Sequence, residues 1–391
     1  YQAHPYHHST IGWRSDIENV PIARLKEFYD TFYWPNNATL TVIGDFERKT
    51  LFAWIDKYFG ALPSSSHPIP DMYTTEPPQE GQRRVIVRRA GKVGIVGIAH
   101  KSPPALHEDA YSLRVLANIL SSGKSSRLYK AIVDKGLATA VSVDNSVFKD
   151  NGLFVTYVVM TPGTKHEDIE NIVLQEYEKV KKEGVTAEEV KKTQAEMTSQ
   201  IAFSRDGTLN VARYLNEAIA VGDWKLYTYI VDKINGVTPN TVQAVANKII
   251  QEDFSTVGYF IPKSEESAPT EQQGSKTATE QKPATSTAPV AASPSQTKAA
   301  TSTDHTKTLA ERIQTVEPVK GLKLYLLKTG LQDVVTIQGS LLGGEQFSDR
   351  KNPLIAKMTG RMLDQGTKKH TKFEIAELLS SVGAALSFSV G

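Results

Sequence analysis

The chain has 391 residues, 40% hydrophobic and 23% charged, with a formal net charge of +2 and no cysteine. Near-neutral charge gives no general attraction to nucleic acid or to a membrane surface, and the missing thiols exclude disulfides and thiolate metal sites. No apolar run reaches the length of a membrane span, and the length allows two or three domains.

The chain opens on a motif-dense stretch, Tyr1 to Trp13, with histidines at 4, 7 and 8. Pro5 interrupts them, and no Glu stands where a His-Glu-x-x-His motif would need one. The expectation is a loop of hydrogen-bonded histidines and no metal. From Pro21, a good first helical residue, apolar residues recur at Ile22, Leu25, Phe28, Tyr29 and Phe32, which predicts a helix. Ala38–Ile43 reads as a strand ended by Gly44-Asp45, and Leu51–Phe59 as a second helix closed by Gly60. Residues 61–82 are rich in Pro and Ser and read as a connection.

Arg83–Arg89 alternates basic and apolar residues, and Val93–Ala99 reads as a buried strand. A helix follows with His107-Glu108-Asp109 at its start, where acids suit the backbone dipole. Gly123-Lys124-Ser125 imitates the end of a phosphate-binding loop, but its upstream glycine is missing and it follows a helix, which excludes that reading. Ala140–Val147 and Leu153–Met160 read as a hairpin. Asp168–Glu183 and Ala187–Phe203 read as amphipathic helices, the second entered through Thr186. Tyr214–Val221, Leu226–Ile234 and Thr241–Ile250 add helices, and Ser255–Ile261 a last strand. The strands from Val93, Ala140, Leu153 and Ser255 should make one sheet with helices on one face.

Residues 264–307 contain no aromatic residue, Leu, Ile or Met. Such a segment buries too little apolar surface to offset the entropy of ordering it, so it reads as a flexible linker. Beyond it, Val319–Leu327 and Val334–Leu341 read as a strand pair, Asn352–Leu363 and Phe373–Ser381 as helices, and Ala385–Val390 as a strand. The expected domains are 1–62, a connection at 63–82, 83–263, the linker 264–307, and 308–391 as the start of a third domain. Motif-dense at its start and ending straight after a strand, the chain reads as an internal fragment of a longer protein.

Three stretches together resemble the pitrilysin/insulinase family of zinc metallopeptidases. The first is His4-Pro5-Tyr6, Ile11-Gly12 and the run Phe28–Asp45. The second is Ser125-Ser126-Arg127-Leu128 with Lys135-Gly136-Leu137-Ala138. The third is Gly321-Leu322, the turn Asp364–Thr367, and Ser381-Val382-Gly383. The resemblance implies repeated α+β domains, mostly antiparallel sheet with helices on one face. It implies two homologous halves of one chain, joined by a linker and packing as a clamshell around a peptide or small-protein substrate. Zinc in the full-length protein would be held by an inverted His-x-x-Glu-His motif and a later Glu, all upstream of Tyr1. In the second half the motif position reads Lys357-Met358-Thr359-Gly360-Arg361. Lys replaces the first His, Gly360 the base and Arg361 the second His, a set that cannot bind zinc. Two further family positions, an Arg and a Tyr that hold an oxyanion, correspond to Val133 and Thr139. No catalytic, cofactor-binding or metal residue is therefore expected in this stretch. The expectation is part of a zinc-dependent endopeptidase, itself not catalytically competent, in the bacterial periplasm or another exported setting suited to zero cysteine. The alternatives are a non-catalytic scaffold or peptide-binding member of the family, and a processing peptidase for basic substrates.

Overall fold

The computed structural model describes residues 1–263, 308–328, 335–348, 351–352 and 354–390. The linker read at 264–307 lies outside the described residues. The chain divides into two compact units, Tyr1–Glu265 with Leu342–Gly391, and Glu266–Leu341. Residues 308–341 of the expected third domain thus fall in one unit and 342–391 in the other.

In the first unit the amino-terminal part is helical. It holds α1 (Arg14–Asn19), α2 (Ile22–Phe32) and α3 (Arg48–Phe59). The helical periodicity is thereby realised at both expected places. The strand expected at Ala38–Ile43 does not form. The segment finds no ladder partner among the described residues, and a strand without one leaves its backbone groups unpaired. It lies instead beside the helix at 208–220, with the Thr41 hydroxyl 2.7 Å from Asn216 Oδ1.

The centre of the unit is an α+β layer pair. Its elements are β1 (Arg83–Ala90), β2 (Ile95–Ser102), α4 (Glu108–Ser121), β3 (Ala138–Ser146), β4 (Gly152–Met160), α5 (His166–Glu183), α6 (Ala187–Ser204), α7 (Thr208–Ala220), α8 (Leu226–Asn235), α9 (Pro239–Ile249) and β5 (Ser255–Lys263). The sheet order is β1-β5-β2-β4-β3. The expected four strands are all present, and Arg83–Ala90 joins them as a fifth, parallel to β5; the other three pairings are antiparallel. The hairpin expected at residues 148–152 joins β3 and β4.

Alternation decides the two faces. Val96, Ile98 and His100 of β2, Phe154, Thr156 and Val158 of β4, and Val257 and Tyr259 of β5 are buried. The apolar ones among them pack with Leu113, Leu116 and Leu120 of α4, Val173 and Tyr177 of α5, and Val242 of α9 in one core. Each such side chain contributes about 1.5–3 kcal/mol on burial. The intervening residues point away from the helices and are half-buried or exposed. One face of the sheet is covered and the other is open, as expected.

α6 begins with a reciprocal cap. Thr186 Oγ1 accepts the Glu189 N–H, and Glu189 Oε2 accepts the Thr186 N–H. Between α4 and β3 the chain makes a π-turn, Tyr129–Val133, in which the Asp134 N–H reaches the Tyr129 carbonyl at 2.9 Å.

The second unit holds α10 (Leu309–Arg312) and an antiparallel hairpin of β6 (Gln314–Val319) and β7 (Leu322–Leu326). The strand expected to run unbroken from Val319 to Leu327 is therefore broken at Gly321, whose φ of +91° suits a turn and not a strand interior. Residues 335–341 form no strand, and Val334 lies outside the described residues. Back in the first unit, α11 (Ile355–Met362) and α12 (Lys372–Ser381) match the two expected helices. Residues 385–390 are not a strand; they have no ladder partner among the described residues.

Candidate functional site

The histidine loop is built around a carboxylate that sequence reading left inside a plain connection. Glu76 accepts the backbone N–H groups of Gln2, Ala3 and His4 and the Lys101 ammonium, at 2.8–3.1 Å. Burial opposes its charge, but Lys101 and the three amides outweigh burial and hold the carboxyl well below the usual range. His4 is buried; its Nδ1 accepts the Tyr6 N–H and its Nε2 lies 3.6 Å from Asp150 Oδ2. His7 Nδ1 meets the His4 carbonyl at 3.0 Å and His8 Nδ1 the Ser9 carbonyl at 3.2 Å. The three histidines are thus local hydrogen-bonding groups, and the loop is tied to the β3–β4 turn. Tyr1 adds to this tie through its hydroxyl, which donates toward the Gly152 carbonyl at 2.7 Å. Nothing in the sequence singled out Glu76, because a clamp between residues 25 to 74 positions apart has no local spacing.

On α11, Lys357 pairs with Glu345 at 2.9 Å, and Arg361 is exposed. Gly360 is buried, and a Cβ there would sit 2.5 Å from Val390 Cγ2. At the position where the resemblance would put a base, the residue is a packing glycine. Among the described residues no three His, Cys, Asp or Glu side chains gather in an arrangement that could hold a metal. Lys357, Gly360 and Arg361 together give a zinc ion no donor set. Val133 ends the π-turn and Thr139 lies exposed at a bulge in β3, its hydroxyl 3.3 Å from the Val159 carbonyl. Neither offers a cation or a phenol. Gly123, Lys124 and Ser125 serve contacts within the chain: Lys124 pairs with Asp364 at 2.8 Å and Ser125 accepts from Lys192.

A cleft and an open sheet face among the described residues could take a ligand. A cleft of about 830 Å³ lies between α4, β3, α6, α7 and α8, with Arg114, Asp144, Tyr214 and Glu217 among its polar lining and Met197 and Ile230 among its apolar lining. The other is the open sheet face. One row across it reads Val85, Gly258, Gly97, Tyr157 and Ser142, by the register of the four pairings. Val85 is 50% and Tyr157 43% exposed, so no described element covers them.

A family described as the peptidase M16 inactive domain matches residues 19–197. Zinc protease PqqE of Helicobacter pylori is 28% identical over 265 residues, 67% of this chain and 60% of that protein. A solved protease from Helicobacter pylori superposes with a TM-score of 0.64 at 28% identity, over 67% of this chain and 64% of that one. Residues 19–197, just under half of the chain, thus match an M16, or pitrilysin/insulinase, family domain, and the Helicobacter relatives extend the similarity to about two thirds of the chain. The uncharacterised zinc protease YmxG of Bacillus subtilis is 21% identical, over 65% of this chain and 61% of its own. An M16 inactive domain from Pseudomonas fluorescens shares the fold, with a TM-score of 0.58 at 17% identity over 67% of this chain and 62% of that one. The chain spans about three-fifths of the length of the curated relatives it matches. Residues 19–197 match a non-catalytic part of a zinc peptidase.

Proposed function

We propose that this chain is the supporting, non-catalytic part of a zinc-dependent peptidase that hydrolyses peptides between two halves of one protein. The match of the M16 inactive domain to residues 19–197 carries this reading. The similarity to a zinc protease supports it. The chain's own contribution is a rigid wall: a covered core on one side and an open sheet face on the other. The two halves would pack against each other, with the peptide substrate between them. No described helix is long and apolar enough to cross a membrane. Zero cysteine is compatible with an exported location, which cell fractionation would test.

The experiment compares this chain with a longer protein that also carries a His-x-x-Glu-His motif. The chain alone should bind no stoichiometric zinc after dialysis and leave a fluorogenic peptide intact. The longer protein should cleave it, lose that activity to a chelator and regain it on zinc addition. Cleavage by the chain alone, or chelator-resistant cleavage by the longer protein, would refute the proposal.

A further inference from the structure

We propose that the open sheet face carries a peptide-docking subsite: a shallow trough floored by Gly97 and Gly258. It would take an extended segment bearing one bulky apolar side chain, with an acidic residue toward each end. This deepens the peptidase reading above and rests on it.

Gly97 and Gly258 are direct register partners across β2 and β5. Each lies between two buried residues, Val96 and Ile98 for one and Val257 and Tyr259 for the other, so both positions face outward. A strand-interior glycine weakens a sheet, and it often marks a place where a ligand or another backbone comes close. Here the fold itself gives no reason for either glycine. Neither has a positive φ. A Cβ on Gly97 would meet nothing nearer than the Gly258 carbonyl oxygen at 4.0 Å, and one on Gly258 nothing nearer than 3.9 Å. Gly152 is the contrast, since a Cβ there would lie 1.8 Å from the Ser146 carbonyl oxygen.

Among the described residues no side-chain atom comes within 4 Å of a Cβ built on either floor glycine. The Phe260 ring leans over Gly91, where a Cβ would meet it at 2.8 Å, and no ring atom lies within 4 Å of a Cβ on either floor glycine. The usual shielding of a strand glycine by a cross-strand aromatic is therefore absent. Val85 and Tyr157 stand at the two sides and Ile95 and Phe260 across one end, which makes the walls apolar.

Charge names the rest of the ligand. Arg83 and Arg89 lie on the same face of β1, at its two ends, and neither has an ion-pair partner among the described residues. Arg84 is held by Glu170 and Lys101 by Glu76. The two guanidinium groups are about 20 Å apart along an extended strand, the length of a heptapeptide. Carboxylates at the ends of such a peptide would meet them, with the central side chain above the glycines.

The test uses this chain and a fluorescein-labelled heptapeptide, Glu-Thr-Val-Phe-Val-Thr-Glu, followed by anisotropy. Wild type should bind it. The double substitution Gly97→Ala with Gly258→Ala should weaken binding about tenfold, since two methyl groups occupy the floor, while Tm holds or rises. A probe with Lys in place of both Glu should bind about tenfold more weakly too, and Arg89→Glu should remove that preference. The proposal fails if wild type shows no binding up to about 1 mM, or if the alanine variant binds as wild type does. It fails equally if that variant lowers Tm, which would make the glycines structural, or if the Lys probe binds as well as the Glu probe. Binding is read without hydrolysis. A longer protein that cleaves peptides while this chain binds none sinks the trough alone; absent hydrolysis sinks the peptidase reading alone.

Discussion

His100 shows how one buried side chain sets a pH response. It lies on the covered face of β2, 2% exposed, with its ring 5.9 Å from that of Tyr177. Burial pushes its pKa down from 6.5 to about 4, with the Lys181 charge adding to the fall and the Gln251 backbone carbonyl opposing it. The folded state resists the proton and the unfolded chain accepts it. Stability is therefore full above pH 6.5 and falls as pH drops toward 4, by about 3 kcal/mol for this group alone. Urea unfolding of wild type and His100→Gln at steps from pH 7 to pH 4.5 checks this. The variant should be less stable at pH 7 and show a flatter decline; parallel declines would show that His100 does not set the slope. Glu76 acts in a lower window. Its folded pKa lies beneath the ordinary 4.5, so its clamp on residues 2–4 is intact above that value and is lost only as pH falls below it.

Among the elements, α6 joins a local signal to a distant contact. The spacing of Thr186 and Glu189 announces a capped helix start, and the structure supplies both capping bonds. Glu189 also receives Arg127 through two nitrogens, at 2.7 and 2.8 Å, which ties the cap to the turn before the π-helical residues. Thr186→Ala should cost about 1 kcal/mol, measured by chemical denaturation. Glu189→Ala should cost more, because it removes the cap and strands Arg127. Equal losses from the two substitutions would mean that the ion pair adds nothing. β1 illustrates the opposite case. Its three apolar residues between arginine pairs carry no mark of which strand they join. Only the parallel pairing with β5 puts Arg84 beside Glu170, where the guanidinium and the Tyr259 hydroxyl overcome burial and keep that carboxyl below its ordinary range.

At the scale of the first unit, residues 342–390 are held on the central domain by a few polar contacts and one close approach. Lys124 pairs with Asp364 and Lys372 with Asp134, and Lys130 lies 5.8 Å from the centre of the Phe373 ring. At Gly383 a Cβ would sit 2.7 Å from the Ala195 carbonyl oxygen, so only glycine lets the end of α12 lie on α6. Partly exposed pairs of this kind are screened by salt. Lys124→Glu with Lys372→Glu should speed hydrogen exchange in α11 and α12 while leaving β2 and β4 protected. Adding Asp364→Lys and Asp134→Lys should restore slow exchange. Unchanged exchange in the first double variant would show that apolar packing alone holds the segment.

What the sequence determined by itself was local. The periodicity of Ile22–Phe32, the hairpin around Lys149-Asp150-Asn151, the cap at Thr186 and the absence of ligands at Lys357, Gly360 and Arg361 each depend on residues a few positions apart. A short resemblance in order along the chain was enough to name the family. The tertiary structure decided whatever depends on a partner far away in the chain. Residues 38–43 and 385–390 have the composition of strands but no ladder partner, and a strand exists only as one side of a pairing. Glu76 becomes a clamp only when residues 2–4 and Lys101 converge on it. Gly97 and Gly258 are 161 positions apart and form one floor only because β2 and β5 pair in that register.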